Sequence, residues 1–172
     1  MHRVLSLMVA GTISGAAWAD SHLSEGAALA EAGFKFCQSC HVVRDDDGNV
    51  LAGKNSKSGP NLYGVIGRTA GTLDGFKYGK DMVAAGEAGL VWDEESVAAF
   101  LLDPKQFLRD YLDNSGARTR MVFKIRADKK NGLSKEDVAA NYALFLKEIG
   151  PVMEPAAEGD ATDGSEDTAT DN

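Results

Sequence analysis

Leu23, Ala27, Ala30 and Phe34 recur at four-, three- and four-residue intervals, which places them on one face of an α-helix with a small-residue groove at its centre. Ser24 is the predicted N-cap, Glu25 lies in the first turn, and the helix runs toward Cys37. Val42 to Ser58, rich in Asp, Gly, Asn and Lys, is expected to be a loop, and no strand-rich pattern lies near Cys37. Glycines and Pro60 then set turns around a short apolar segment, Gly59 to Arg68. Gly71 to Gly79, with Phe76 and Tyr78, is a second loop, and Lys80 to Ala88 a short helix. Asp93 is a good N-cap for a helix with Val97, Phe100 and Leu101 inward, ending near Leu102. Asp103-Pro104 restarts a helix bearing Phe107, Leu108, Tyr111 and Leu112. Residues 113–133 lack helical periodicity. Ser134 and Asp137 form a capping-box variant ahead of Val138, Tyr142, Phe145 and Ile149, and Gly150-Pro151 is the stop. The apolar face of this last helix is the expected partner of the Ala30/Phe34 groove, so the pattern predicts an all-α domain without internal repeats.

The two ends depart from that pattern. Met1-His2-Arg3 is a short basic start, Val4 to Ala17 is apolar and small, and Ala17-Trp18-Ala19 is an A-x-A cleavage site. Residues 1–19 therefore read as a secretory signal peptide, too short for a membrane span, with an uncleaved anchor as the alternative. At the other end, residues 151–172 hold seven of the 26 acidic residues and no Lys or Arg, which predicts an acidic disordered tail. Between them, residues 20–150 carry 19 acids and 17 bases, so most of the net charge of −8 belongs to the tail. An exported acidic chain with no long basic stretch is a poor nucleic-acid binder.

The candidate chemistry is concentrated in Cys37-Gln38-Ser39-Cys40-His41. Two thiols separated by two residues, with an imidazole directly after the second, can add across the vinyl groups of a haem and place His41 under the iron. The alternatives are a CxxC disulfide or half of a zinc site. Zinc needs about four ligands, and the only other histidines are His2 and His22. Only one CxxCH is present, so one covalently bound haem c is expected. The close turns of Gly59 to Arg68 suit a backbone passing near a flat cofactor, and a carbonyl beside Pro60 can accept from the free ring nitrogen of His41.

Whether the other face of the iron is open or closed decides between catalyst and carrier. Methionine opposite histidine gives a high-potential electron-transfer haem. Met82 sits in a helical pattern that suggests a core role, and Met153 lies in the tail. Met121, in the charged loop segment Arg118-Thr119-Arg120-Met121-Val122-Phe123, is the better placed, with gap-filling in the core as its alternative.

The order of CxxCH, GPNLYGVIGRTAG, Gly-Phe-x-Tyr, Trp92, a D-P helix restart, T-x-M-x-F and a terminal amphipathic helix resembles the class I cytochromes c, nearest the bacterial cytochrome c2 and cytochrome c-550 group. The resemblance covers about residues 22–150. It implies several helices wrapped around one haem, with the N- and C-terminal helices crossed. It implies His41 and Met121 as axial ligands, the Pro60 carbonyl as acceptor from His41, and Arg68, Tyr78 and Trp92 near the haem propionates. Thr119 would brace the ligand loop and Phe123 cover the haem edge. Lys57, Lys105 and Arg120 resemble the family's basic ring around that edge, which Lys35, Lys54 and Lys124 can join. Ala30 stands where the family usually has glycine at the helix crossing. Phe100 stands where it has a tyrosine facing the methionine sulfur. The implied function is a periplasmic, non-enzymatic electron carrier. The cytochrome bc1 complex is the implied donor, with a cytochrome oxidase, a photosynthetic reaction centre or both as acceptors; other periplasmic redox enzymes are further candidate partners, and a monomer is expected. A gas-binding cytochrome or small peroxidase with an open distal face is the competing reading.

Overall fold

A computed structural model describes residues 23–153; residues 1–22, with the expected signal peptide, and residues 154–172 of the expected tail lie outside the described residues. The described chain contains five α-helices, α1 (Glu25–Gly33), α2 (Lys80–Glu87), α3 (Glu94–Leu102), α4 (Pro104–Tyr111) and α5 (Lys135–Glu148). A 3-10 turn, Phe34–Phe36, continues α1 toward Cys37. Among the described residues, no helix is long and apolar enough to cross a membrane.

The predicted caps are those that form. Ser24 accepts from the Ala27 N–H, Asp93 and Ser96 make a reciprocal capping box, and Asp103 caps α4 through Gln106. Ser134 and Asp137 make a second box at the start of α5. These carboxylates and hydroxyls satisfy N–H groups that have no partner inside the helix. Hydrogen bonding to Ser96 holds the Asp93 carboxyl below its ordinary range, and Ser134 does the same for Asp137.

Three expectations need correction. Val42 to Ser58 is not all loop: β1 (Val42–Arg44) and β2 (Val50–Gly53) form an antiparallel hairpin with an irregularity after Val43. The strands are too short to show alternation, and β2 starts with exposed Val50 and Leu51. The turn between them is fixed instead by Asp45, whose carboxylate accepts from both the backbone and the side chain of Asn49. Second, the buried face of α5 is wider than the predicted stripe. Ala139, Tyr142, Ala143, Phe145 and Leu146 are buried, while Val138 and Ile149 are only half-buried. The cause is that α5 packs on both α1 and α3. Third, the tail does not begin free at residue 151. The Met153 N–H donates to the Ile66 carbonyl at 2.8 Å, and Pro151 and Met153 pack over Gly64.

The α1–α5 crossing brings Phe34 and Phe145 together, ring centroids 5.7 Å apart. Ala27 and Ala30 are buried in it, but the closest approach is at glycine. A Cβ on Gly33 would lie 2.6 Å from the Tyr142 hydroxyl, and one on Gly26 would lie 2.5 Å from the Asn141 side chain. Ala30 at the crossing is therefore compensated by glycines on either side of it. Another part of the same core is aromatic: Trp92 meets Phe100 edge-on and Phe107 nearly stacked, and Tyr111 stacks on Phe107.

Candidate haem site

Cys37, Cys40 and His41 lie on one tight turn. The Cys40 and His41 N–H groups both donate to the Cys37 carbonyl, and the Gln38 N–H donates back to Phe34. Both thiols are unbridged, Cys37 half-buried and Cys40 exposed. Burial pushes the Cys37 thiol up to about 11, opposed by a hydrogen bond from Tyr142. Among the described residues, no three His, Cys, Asp or Glu side chains gather into a metal cluster, so the thiols lack partners for zinc.

His41 is oriented from outside the turn. Its Nδ1 lies 2.9 Å from the Pro60 carbonyl. A carbonyl can only accept, so Nδ1 carries the proton and Nε2 keeps its lone pair. Burial lowers the pKa of His41 and the Pro60 bond opposes this, which favours the neutral, ligating imidazole. Gly59 donates its N–H to the Cys40 carbonyl at 2.7 Å and lies against the ring. A Cβ there would stand 2.5 to 2.9 Å from three atoms of His41.

Arg68 and Tyr78 are brought together side chain to side chain, while Trp92 joins Arg68 through its backbone and packs its indole on Phe100 and Phe107. Backbone bonds couple Arg68 to Trp92, the Trp92 N–H donating to the Arg68 carbonyl at 2.9 Å. The guanidinium donates to the carbonyls of Asn61 and Tyr63 and pairs with the Tyr78 hydroxyl. Burial lowers the Arg68 pKa and raises that of Tyr78, and their mutual contact opposes both shifts.

Met121 is half-buried against the core, in the stretch without helix. Its N–H donates to Thr119 Oγ1 at 3.1 Å. The segment is fastened at both ends: Arg118 N–H to the Asp81 carboxylate at 3.0 Å, and Ile125 N–H to the Leu101 carbonyl at 3.0 Å. Phe123 is 37% exposed and Val122 90% exposed. Met82 is half-buried on α2, and Met153 is engaged with Ile66. Lys57, Lys105 and Arg120 are exposed, Arg120 donating to the Lys77 carbonyl at 2.7 Å. Lys124 is tied to Asp103 at 2.5 Å, and Lys35 lies over the Phe36 ring.

Two nearby free thiols and an imidazole with Nδ1 pinned to a carbonyl fit a covalently attached haem, and the Met121 thioether lies on a separate loop of its own. No protein-family model matches the chain. Among curated proteins it is 44% identical to cytochrome c-551 of Roseobacter denitrificans over 144 residues, covering 83% of this chain and 95% of the relative. It is 45% identical to cytochrome c2 of Rhodovulum adriaticum over 128 residues, 74% of this chain and 95% of the relative. The chain belongs to the class I c-type cytochromes. The crystal structure of cytochrome c2 from Rhodobacter sphaeroides matches the fold with a TM-score of 0.62 at 46% identity, over 72% of this chain and 93% of that one. This cytochrome is accordingly a monohaem electron carrier with one covalently bound haem c.

Three residues of the cytochrome's site escaped sequence reasoning. Gly59 had a usable signal, since a glycine directly before Pro60 marks a backbone that something approaches closely. Tyr142 had only a helix-face position, and nothing said that its hydroxyl would reach Gly33 and Cys37. Asp81 had none, being one acidic residue in a short helix.

Proposed function

We propose that this cytochrome is exported behind residues 1–19 and works in the periplasm as one domain over residues 20–150. There it carries single electrons from the cytochrome bc1 complex to a terminal oxidase, a photosynthetic reaction centre or both. In this reading Cys37 and Cys40 hold the haem through thioethers, and His41 and Met121 are the axial ligands. When bound, the haem supplies reversible one-electron exchange between ferric and ferrous iron. The observation that carries the reading is the 2.9 Å contact between His41 Nδ1 and the Pro60 carbonyl, beside two free thiols.

The chain's own residues do the rest. The Pro60 carbonyl fixes the tautomer and rotation of His41 and raises its basicity, while Gly59 lets the backbone close over the ring. Arg68 and Tyr78 form a partly buried polar pair suited to two haem carboxylates, with the Trp92 indole N–H the further donor of this reading. Thr119 holds the Met121 backbone, and Phe123 shields the haem edge from water. Lys57, Lys105 and Arg120 supply a positive rim that steers an anionic partner into a brief complex. The acidic residues of 154–172 compete with that partner for the rim; deleting them should speed association at low salt, and an unchanged rate would remove the tail from the account.

The test is the absorption spectrum of periplasmically expressed protein, oxidised and reduced, with and without carbon monoxide. A sharp reduced c-type spectrum, a ferric methionine–iron band and no response to carbon monoxide are expected. A carbon monoxide shift would mean that Met121 does not close the iron, and the gas-binding or peroxidase reading would replace this one.

A further inference from the structure

Among the described residues Asp81 is the one buried charged or polar side chain in an otherwise apolar core, at 9% exposure. It sits in the first turn of α2, where a carboxylate ordinarily serves its own helix N-terminus. Here the carboxylate instead accepts from the backbone N–H of Arg118, 37 residues further along the chain and three before Met121. We propose that Asp81 is a positioning residue for Met121, a latch that fastens the incoming side of the ligand loop to α2 and so keeps the thioether at the iron. The inference rests on the assignment of Met121 as axial ligand.

The rest of the loop shows why such a latch matters. Residues 113–133 form no helix, and Arg118, Arg120, Val122 and Phe123 are all exposed. The bond from Met121 N–H to Thr119 Oγ1 spans two residues, so it shapes the loop but moves with it. On the outgoing side, Ile125 is tied to Leu101, and Lys124 pairs with Asp103. On the incoming side the ties are the exposed Arg120 bond to the Lys77 carbonyl, a long 3.4 Å bond from Arg109 to the Ala117 carbonyl, and the Asp81 bond. Of these, Asp81 alone accepts through a buried side chain, and a donor whose buried partner is removed is costlier to leave unpaired than one at the surface.

Imidazole provides the probe, because it binds ferric iron only when the methionine has left. With the haem-loaded protein, Asp81→Ala should tighten imidazole binding about tenfold, the size expected for losing one hydrogen bond to a buried charged acceptor. Asp81→Asn, which keeps an acceptor oxygen, should return it to within about threefold of wild type, and Asp81→Ser, too short to reach the Arg118 N–H, carries the alanine readout if that variant fails to mature. Ala143→Gly on α5 controls for global destabilisation: it should lower resistance to guanidinium without changing imidazole binding. Wild-type imidazole affinity in both Asp81 variants, or an equal rise in Ala143→Gly, would overturn the latch. A wild-type protein lacking the ferric methionine–iron band would instead overturn the assignment of Met121 beneath it.

Discussion

His41 takes its orienting bond from Pro60, 19 residues away, whereas the loop bearing Met121, apart from one long bond from Arg109, is fastened by residues 21 to 43 positions distant in sequence. The first region is a turn closed by its own backbone and filled to contact, with Gly59 lying on the imidazole. The second is an irregular loop, exposed along much of its length and held at a few points. The histidine side can therefore form from nearby chain, while the methionine side needs α2, α3 and the Gly71–Gly79 loop already in place. On the proposed assignment of His41 and Met121 as ligands, the two differ in security: under stress the thioether would leave first and the imidazole would stay.

The largest expected effect removes the weaker partner outright. Met121→Ala should leave the c-type chromophore attached but convert a protein inert to carbon monoxide into one that binds it stoichiometrically, with a lower reduction potential. Reduced spectra under carbon monoxide read the first change, and potentiometric titration the second. Retained inertness would mean that another residue closes the iron. The opposite region is tested by Gly59→Ala. A methyl group 2.5 Å from the ring overpacks a site that cannot yield, and a loss of about 1–3 kcal/mol in guanidinium unfolding is expected. If Gly59→Ala were neutral, the histidine turn would be as pliable as the methionine loop, and the contrast between them would fail. A smaller effect should leave the contrast untouched: Ser134→Ala removes the cap of α5, which braces both regions only indirectly, and should cost about 1 kcal/mol with no change in the methionine–iron band.

That contrast also explains what could be read in advance. The helices were legible because their caps are local: Ser24, Asp93, Asp103 and Ser134 each act within three residues. The haem attachment turn was legible for the same reason, since CxxCH concentrates its chemistry in five residues. Met121 was preferred from its residue type and its charged loop context, and the ordered motifs of the family point to the same residue. The hairpin of β1 and β2 was missed because three- and four-residue strands carry no measurable alternation, and β2 opens with solvent-facing Val50 and Leu51. Asp81 was missed because its partner is 37 residues distant, and no local pattern encodes a side chain bonded to a remote backbone. The width of the α5 face was missed because periodicity assumes one packing partner and α5 has two.

Phe100 places a finer test on the methionine side. It is buried between Trp92 and Phe107, with ring centroids 5.2 and 5.7 Å away. Phe100→Tyr adds a hydroxyl that must find an acceptor or stay unsatisfied in an apolar cluster. If it reaches the methionine sulfur, the added bond should strengthen ligation by about 0.5–1.5 kcal/mol, seen as weaker imidazole binding and a shifted potential. An unchanged potential together with unchanged imidazole affinity would show that the ring does not face the sulfur.

The smallest effects separate charge from fastening. Lys57 is exposed on the loop after β2, on the histidine side, whereas Arg120 neighbours Met121 and also donates to the Lys77 carbonyl. Neutralising either by a Gln substitution should slow association with an anionic redox partner by up to about fivefold at low salt, the usual scale of one exposed charge. Raising the ionic strength screens an exposed charge but does not restore a missing hydrogen bond. The deficit of Lys57→Gln should therefore vanish at high salt. Arg120→Gln should recover its association rate equally well but keep a slightly tighter affinity for imidazole, because the loop has lost one of its ties. Identical salt profiles and identical imidazole affinities in the two variants would mean that Arg120 contributes charge alone, leaving Asp81 as the main fastening on the incoming side of the loop.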